Sequence, residues 1–302
     1  MDTTVMAKAI AHPTDARLYE KARQSLVALA GKAGISLRQN DTRKAPRLAA
    51  QAGRLAHARQ FRRMRQARRT LKGYTGRVLR AIRRKMGAVA EGPLRTQMLD
   101  RLDRVARLLR QTPKSTGKLY ARHEPAVDGI AKGKARVRSE FGTKVSVATM
   151  RAEGFVVGLR AMPGNPYDGH TLGEALQQVE TLTDQHVSLA VVDRGYRGHG
   201  VKGTRVLVSG TRRGLTPRLA RLLKRRSAIE PEIGHMKSDG RLARCGLKGL
   251  LGDAVFAVLC GCGHNIRKLL AHLRALLAAL LASLVQVHAR TSPRLTLSQV
   301  AV

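Results

Sequence analysis

The residue best placed by its neighbours to do chemistry is Asp193. It closes a run, Val187 to Val192 (VSLAVV), that is apolar except for Ser188, and is followed by Arg194, Gly195, Tyr196, Arg197, Gly198 and His199. Such a run reads as a strand buried on both faces, and the carboxyl ends of these strands line the ligand crevice of open α/β sheets. The glycine-punctuated loop would let a phosphate backbone come close, whereas the alternative role for the Asp is a turn or helix cap. A second constellation is Arg226, Glu230 and Lys237, separated by four and seven residues, which one continuous helix would place on one face. Pro231 disturbs that helix, so the expectation is either a kink there or a helix that begins at Pro231 with Glu230 as its N-cap. The bland reading of Glu230 is a surface ion pair. Glu232 and Asp168 are rival carboxylates; the spacing to Arg226 and Lys237 favours Glu230, and Asp168 reads as a turn residue in NPYDG. His170 and His199 read as local hydrogen-bonding residues rather than ligands. Cys260, Cys262 and His264 stand in or beside an apolar run, where a free Cys behaves as a small hydrophobe more readily than as a metal ligand.

These residues need a scaffold. From Ala16 to about Arg110 the apolar positions (Leu18, Ala22, Leu26, Leu29; Leu99, Leu102, Val105, Leu109) keep helical spacing. Near Gly129 the texture changes. Thr143 to Thr149 alternates, Gly154 to Ala161 is β-rich, and the pair reads as an antiparallel hairpin. PGNPYDGH ends the second strand. Thr171 reads as the start of an amphipathic helix, with Glu174 completing a capping box. Arg205 to Ser209 is a further short strand, and helices are expected around Pro217 to Lys237 and Asp253 to Val287. The order describes a mixed α/β fold with a sheet covered by helices, but no obvious first strand.

Composition names the partner. Lys and Arg number 57 against 20 Asp and Glu in 302 residues, a formal charge of +37. Such a charge repels itself unless a polyanion neutralises it. Sixteen of these bases fall between Thr42 and Ala90, a stretch with no acid that includes Arg62, Arg63, Arg83 and Arg84. Strong, salt-dependent, sequence-blind backbone binding follows, and with 3% aromatics and no Trp the target is duplex rather than stacked single strands. Three clustered cysteines suit a reducing cytosol, and the N-terminus carries no signal peptide. The run Ala275 to Val287, preceded by His272 and Arg274, reads as too short to span a bilayer; the Leu-Ala stripe from Leu269 to Leu284 fits either core packing or self-association.

Several segments together resemble a known family. RRSAIEPEIGHMKSDGRLARCGLKGLLGDA, Arg225 to Ala254, resembles the glutamate-bearing signature of the insertion-sequence-five family of bacterial transposases, in which Arg, three residues, Glu, six residues and Lys recur; Arg226, Glu230 and Lys237 match it. VVDRGYRGHG, Val191 to Gly200, is similar to the segment with the second catalytic aspartate. DTTVMAKAIAHPTDARLYEKAR, Asp2 to Arg23, is similar to the segment with the first. GKARVRSEFGTKVSVAT and MPGNPYDGHTL also resemble family text. Leu223 stands where the family often has Tyr. Asp2 directly follows Met1, whereas family members carry a helical DNA-binding region and a strand ahead of that Asp, so the resemblance implies a chain shortened at its N-terminus.

The resemblance implies an RNase H-like core in which Asp2, Asp193 and Glu230 are catalytic and hold Mg²⁺, with Mn²⁺ as a possible substitute. Arg226 and Lys237 would grip DNA phosphates, beside Arg194, Arg197 and the bases of the helical region. The expected activity is metal-dependent phosphodiester cleavage and strand transfer at insertion-sequence ends, on double-stranded DNA, with self-association on DNA, no membrane and no small-molecule substrate, in the bacterial cytoplasm at the nucleoid. The alternative is an inactive DNA-binding remnant. In this reading residues 1–15 are what is left of the first catalytic strand and its loop, 16–128 a basic helical insertion, 129–272 the catalytic core and 273–302 a C-terminal helix and tail.

Overall fold

The computed structural model describes residues 1–131, 139–211 and 214–291, with side chains described as far as residue 288. The segment GKARVR at Gly133–Arg138 and the end of the expected tail lie outside the described residues. In chain order the elements are β1 (Asp2–Lys8), α1 (Asp15–Lys32), α2 (Lys44–His57), α3 (Phe61–Lys85), α4 (Pro93–Arg110), β2 (Asp128–Ala131), β3 (Ser139–Thr149), β4 (Val156–Met162), α5 (Asp168–Thr183), β5 (Leu189–Val192), β6 (Arg205–Val208), α6 (Pro217–Arg225), α7 (Ile229–Ser238), β7 (Arg244–Cys245) and α8 (Gly249–Thr291). The fold is mixed α/β, with a mixed sheet and covering helices.

No first strand is obvious in the sequence, yet Asp2–Lys8 form a seven-residue strand. β1 pairs antiparallel with β3, Asp2 opposite Val147 and Ala7 opposite Gly142, and parallel with β7 on its other edge. The other edge of β3 carries β2 and β4. DTTVMAK could not be recognised locally, since its polar start hides a strand whose partners lie over 130 residues away. β5 and β6 make a separate parallel pair.

Helices α1 to α4 build a body of their own. On α3, Ala67, Leu71, Val78 and Ile82 form the buried stripe, and the last three share a core with Leu26, Met98, Leu102 and Val105; three- and four-residue spacing keeps these side chains on one face. The opposite face is left to arginines, with Arg62, Arg63, Arg83 and Arg84 all exposed. Arg23 is the exception: buried in α1, it donates to both Glu20 oxygens at 2.8 and 2.7 Å and to Asn40 O at 2.8 Å. A second core joins β1, β3, β4, α7 and α8 through Met6, Val145, Val147, Leu159, Ile233 and Met236.

Two helix boundaries differ from expectation. α5 starts at Asp168, three residues before Thr171, and no capping box forms: the Thr171 hydroxyl donates to Asp168 O, and Glu174 pairs with Arg160 at 2.6 Å. Nor does a C-terminal unit begin at residue 273, since α8 is one helix from Gly249. Its first turns pack on β4, where Asn265 exchanges hydrogen bonds of 2.8 Å with the backbone of Val156. Beyond Leu269 every described side chain is exposed. The bilayer estimate also changes. Arg274 is the sole charged residue from Leu269 to His288, so the apolar stretch continues through it, and Gly249–His288 is long and apolar enough to cross a membrane by length and composition, its most apolar 18 residues having mean hydropathy 1.8 and none of them buried.

Candidate active site

Asp2, Asp193 and Glu230 come from three elements and meet at one guanidinium. Asp2 opens β1, and its Oδ1 accepts from the Thr3 amide at 2.7 Å. Asp193 follows β5 directly, at the head of a short 3₁₀ turn (Arg194–Tyr196), yet its carboxylate caps nothing. The capping role open from sequence is therefore not what holds it. Its place is fixed from behind by the buried ring of Tyr196, packed with Leu172, Leu176, Ala190 and Val192. Glu230 sits in the first turn of α7, after a 3₁₀ turn over Arg226–Ala228 that continues from α6. Pro231 falls in that first turn, where a missing N–H costs no helical bond. Ahead of Pro231 the helical path narrows to a 3₁₀ turn, and Glu230 is helical rather than an N-cap.

Arg226 is the hub. Its Nη2 donates to Glu230 Oε1 at 2.8 Å, and its Nη1 lies 3.2 Å from Asp193 Oδ1 and 3.5 Å from Asp2 Oδ2. Nη1 is buried and makes no aligned hydrogen bond, being aimed between the two carboxylates rather than at either. Two oxygens within reach of one nitrogen can stand no further apart than those two contacts laid end to end. Burial pushes the Asp2 carboxyl above its ordinary range; Asp193 adds to the rise, while the Thr3 amide and Arg226 oppose it.

The donor set suits a hard divalent cation in kind, being carboxylate oxygens without sulfur or imidazole. In the arrangement described, though, the positive charge between them is the guanidinium, and among the described residues no group of three or more His, Cys, Asp or Glu stands as a metal cluster. Arg226, expected on a phosphate, instead faces the carboxylates. Lys237 lies two turns along α7 and is half-buried.

The rival carboxylates face elsewhere. Glu232 turns to α8, taking Lys268 Nζ at 2.7 Å and standing 2.9 Å from the buried His264 Nε2. Burial lowers the His264 pKa, with the Glu232 charge opposing the shift. Cys260 packs in the sheet core, its thiol pushed up to about 11 by burial. Asp168 sits beside the site without joining it: Lys144 Nζ holds its Oδ1 at 3.0 Å, and the Thr3 hydroxyl lies 3.4 Å from Oδ2. Sequence reasoning missed this clamp on β1; the one local signal is Lys144 within the alternating strand. Arg194 and Arg197 are exposed on the loop after Asp193, where the Tyr167 hydroxyl donates to Arg197 O at 2.9 Å.

The comparisons add one partial relative. A stretch of 61 residues is 66% identical to the Rhizobium meliloti protein titled "Uncharacterized protein ORF8 in nfe locus", covering 20% of this chain and 30% of that protein. No protein-family model matches. No solved structure matches.

Proposed function

We propose that this chain is the catalytic part of a DDE-class insertion-sequence transposase with an RNase H-like core, acting on double-stranded DNA in the bacterial cytoplasm at the nucleoid. The observation that carries the reading is the convergence of Asp2, Asp193 and Glu230, residues 191 and 37 positions apart, around one point. Those three carboxylates would hold Mg²⁺ or Mn²⁺. When bound, the ions would activate a water or a 3′-hydroxyl and neutralise the oxygen that departs in an in-line displacement. The chain's own part is to bring the carboxylates together from two strand ends and one helix, and to hold the duplex over them. Arg62 and Arg63 lie near one end of α3 and Arg83 and Arg84 near the other, roughly 31 Å apart at the helical rise. That spacing is close to one turn of duplex, which suits phosphate contacts at both ends of the helix. Arg194, Arg197 and Lys237 would add contacts nearer the scissile bond.

The test is cleavage of a duplex carrying the element's ends with Mg²⁺, comparing the parent with Glu230→Gln. Nicking by the parent and none by the variant is expected; equal nicking by both would remove Glu230 from the chemistry.

One observation favours a second reading, a DNA-binding remnant without activity. Arg226 already pairs with all three carboxylates where cations would sit, and β5, which Asp193 follows, is not laddered to β1, which carries Asp2. Binding without cleavage by either protein would select it.

Self-association is proposed through α8. Ile266, Leu273, Leu280 and Val287 repeat every seven residues, with Leu269 and Leu276 three further on and Leu270, Leu277 and Leu284 four further on. Apolar a, d and e positions make a seam for helix bundling, and an apolar helix left in water gains nothing from packing. Leu273→Glu with Leu280→Glu is expected to convert an associated species to monomer in light scattering behind size-exclusion chromatography. An unchanged mass would exclude the seam.

A further inference from the structure

Asp2 belongs to β1 and Asp193 follows β5, and these strands lie in different sheets, so no strand pairing sets the separation of the two carboxylates. The first turn of α5 touches both segments. In the β1–β3 ladder Thr3 is opposite Ser146, two residues along from Lys144, while Asp2 is opposite Val147. Opposed and alternate residues of a sheet share a face. Thr3, Ser146 and Lys144 therefore lie together on the face away from Asp2. There Lys144 Nζ donates to Asp168 Oδ1 at 3.0 Å and to Pro166 O at 2.8 Å, and the Thr3 hydroxyl lies 3.4 Å from Asp168 Oδ2. The Asp168 carboxylate thus meets β1 from behind, at the residue after Asp2 and on the side of the strand opposite Arg226.

The same carboxylate meets the loop after Asp193. A Cβ placed on Gly195 would lie 2.7 Å from Asp168 Oδ2, too close for any side chain. Gly195 is not one of the left-handed glycines, so what requires glycine there is the nearness of Asp168 and not the turn. Next to it a Cβ on Gly169 would lie 2.7 Å from Arg197 O, and the Tyr167 hydroxyl donates to that carbonyl at 2.9 Å. The buried Tyr196 phenol registers all three carboxylates: burial raises its pKa, the Ser146 hydroxyl opposes the rise, and the charges of Asp168, Asp2 and Asp193 add to it.

We propose that Asp168 is a positioning residue: its carboxylate, anchored by Lys144, is a post against which the strand of Asp2 and the loop of Asp193 are both set, and it fixes the distance between the two aspartates. That this distance governs cleavage rests on the transposase reading above; the post itself does not. Asp168 acts through backbone, from the far side of β1, and touches neither substrate nor cation. Its effect on chemistry is nevertheless large, because misplacing a reacting group by about 1 Å costs on the order of 10²-fold in rate. A turn or helix-end role makes a different prediction, since a carboxylate in the first turn of a helix stabilises that helix end alone.

The test uses the full chain with Asp168→Ala, Gly195→Ala and the two combined, reading melting temperature, amide exchange by NMR, and Mg²⁺-dependent duplex cleavage with kcat and KM separated. Asp168→Ala is expected to speed exchange at least about fivefold both at Thr3 and Thr4 and at Arg194 to Tyr196, and to lower kcat about 10²-fold with KM nearly unchanged. Gly195→Ala alone is expected to act in the same direction by pushing the carboxylate off its seat. Added to Asp168→Ala it should cost almost nothing further, because the methyl then has room. Faster exchange in α5 alone, additive losses of melting temperature, or faster exchange with kcat unchanged would each overturn the post. A parent that does not cleave would sink the transposase reading, and exchange and the melting-temperature cycle would still decide the post. If Asp168→Ala does not fold, Asp168→Asn, which keeps the volume and removes the charge facing Lys144, is expected to speed exchange in both segments; unchanged exchange there would overturn the proposal.

Discussion

Asp193→Asn is expected to reduce duplex cleavage by at least about 10³-fold while leaving DNA binding and its salt dependence nearly unchanged. In the proposed transposase reading the magnitude reflects loss of a ligand oxygen and of a negative charge that the divalent cations would need. In the proposed reading binding is carried elsewhere, by the sixteen bases between Thr42 and Ala90 and the exposed arginines of α3, and each phosphate contact would contribute about −0.9 to the slope of log K against log salt for duplex DNA. Asp193 makes no capping hydrogen bond, and its partner is Arg226, so the amide should be tolerated by the fold. Cleavage assays and salt titrations of affinity on the same preparations check both halves. A change in slope would mean that Asp193 orders the binding surface, and loss of folding would mean that it is structural.

The second large effect lies at the opposite end of β1. Lys8 is buried, with Nζ 2.6 Å from Asp253 Oδ1, 3.3 Å from Glu124 Oε2 and 2.8 Å from Leu247 O. Thr143 donates to Asp253 at 2.7 Å, and Gly249 N donates to Glu124 at 3.1 Å. One ammonium thus ties the first strand to the segment leaving the helical body and to the start of α8. Lys8→Met would strand two carboxylates in a dry site, and removing one partner of a buried pair costs about 3–5 kcal/mol. For a domain of this size that is roughly 6–20 °C in melting temperature. Combining Lys8→Met with Asp253→Leu should cost less than the two single changes summed, because the first removes much of the reason for the second. Additive losses would show that the pair does not couple. Burial alone would lower the Lys8 pKa, but the hydrogen bond and charge of Asp253 outweigh it and the net shift is upward. The stabilisation is therefore complete below the ordinary lysine range and fades only as pH rises through the raised value.

How much of this was legible beforehand varies with the range of the interactions involved. Periodicity found α1 and α4, because a helix writes its buried face into spacings of three and four, as Ala22, Leu26 and Leu29 do in α1 and Leu102 and Val105 in α4. Alternation found the β3–β4 hairpin, whose partners are close in sequence. A mostly apolar run ending in Asp193 located β5, and the four-residue step from Arg226 selected Glu230 over Glu232. Both are local signals that need no knowledge of the rest of the chain. The start of α5 was missed by three residues because Thr171 and Glu174 satisfy a capping pattern that the tertiary structure leaves unused: Arg160 of β4 takes Glu174 instead.

What the sequence determined by itself is the inventory: a mixed α/β chain, a basic helical body, and carboxylates at a strand end and beside an arginine at helical spacing. What only the tertiary structure decided is where non-local partners put those pieces. β1 becomes central by pairing with strands more than 130 residues away, Lys8 becomes a buried tie, and Arg226 turns inward to three carboxylates rather than outward to solvent. Side-chain direction and strand pairing are set by which surfaces exclude water together, and that is a property of the assembled layers, not of any window of sequence.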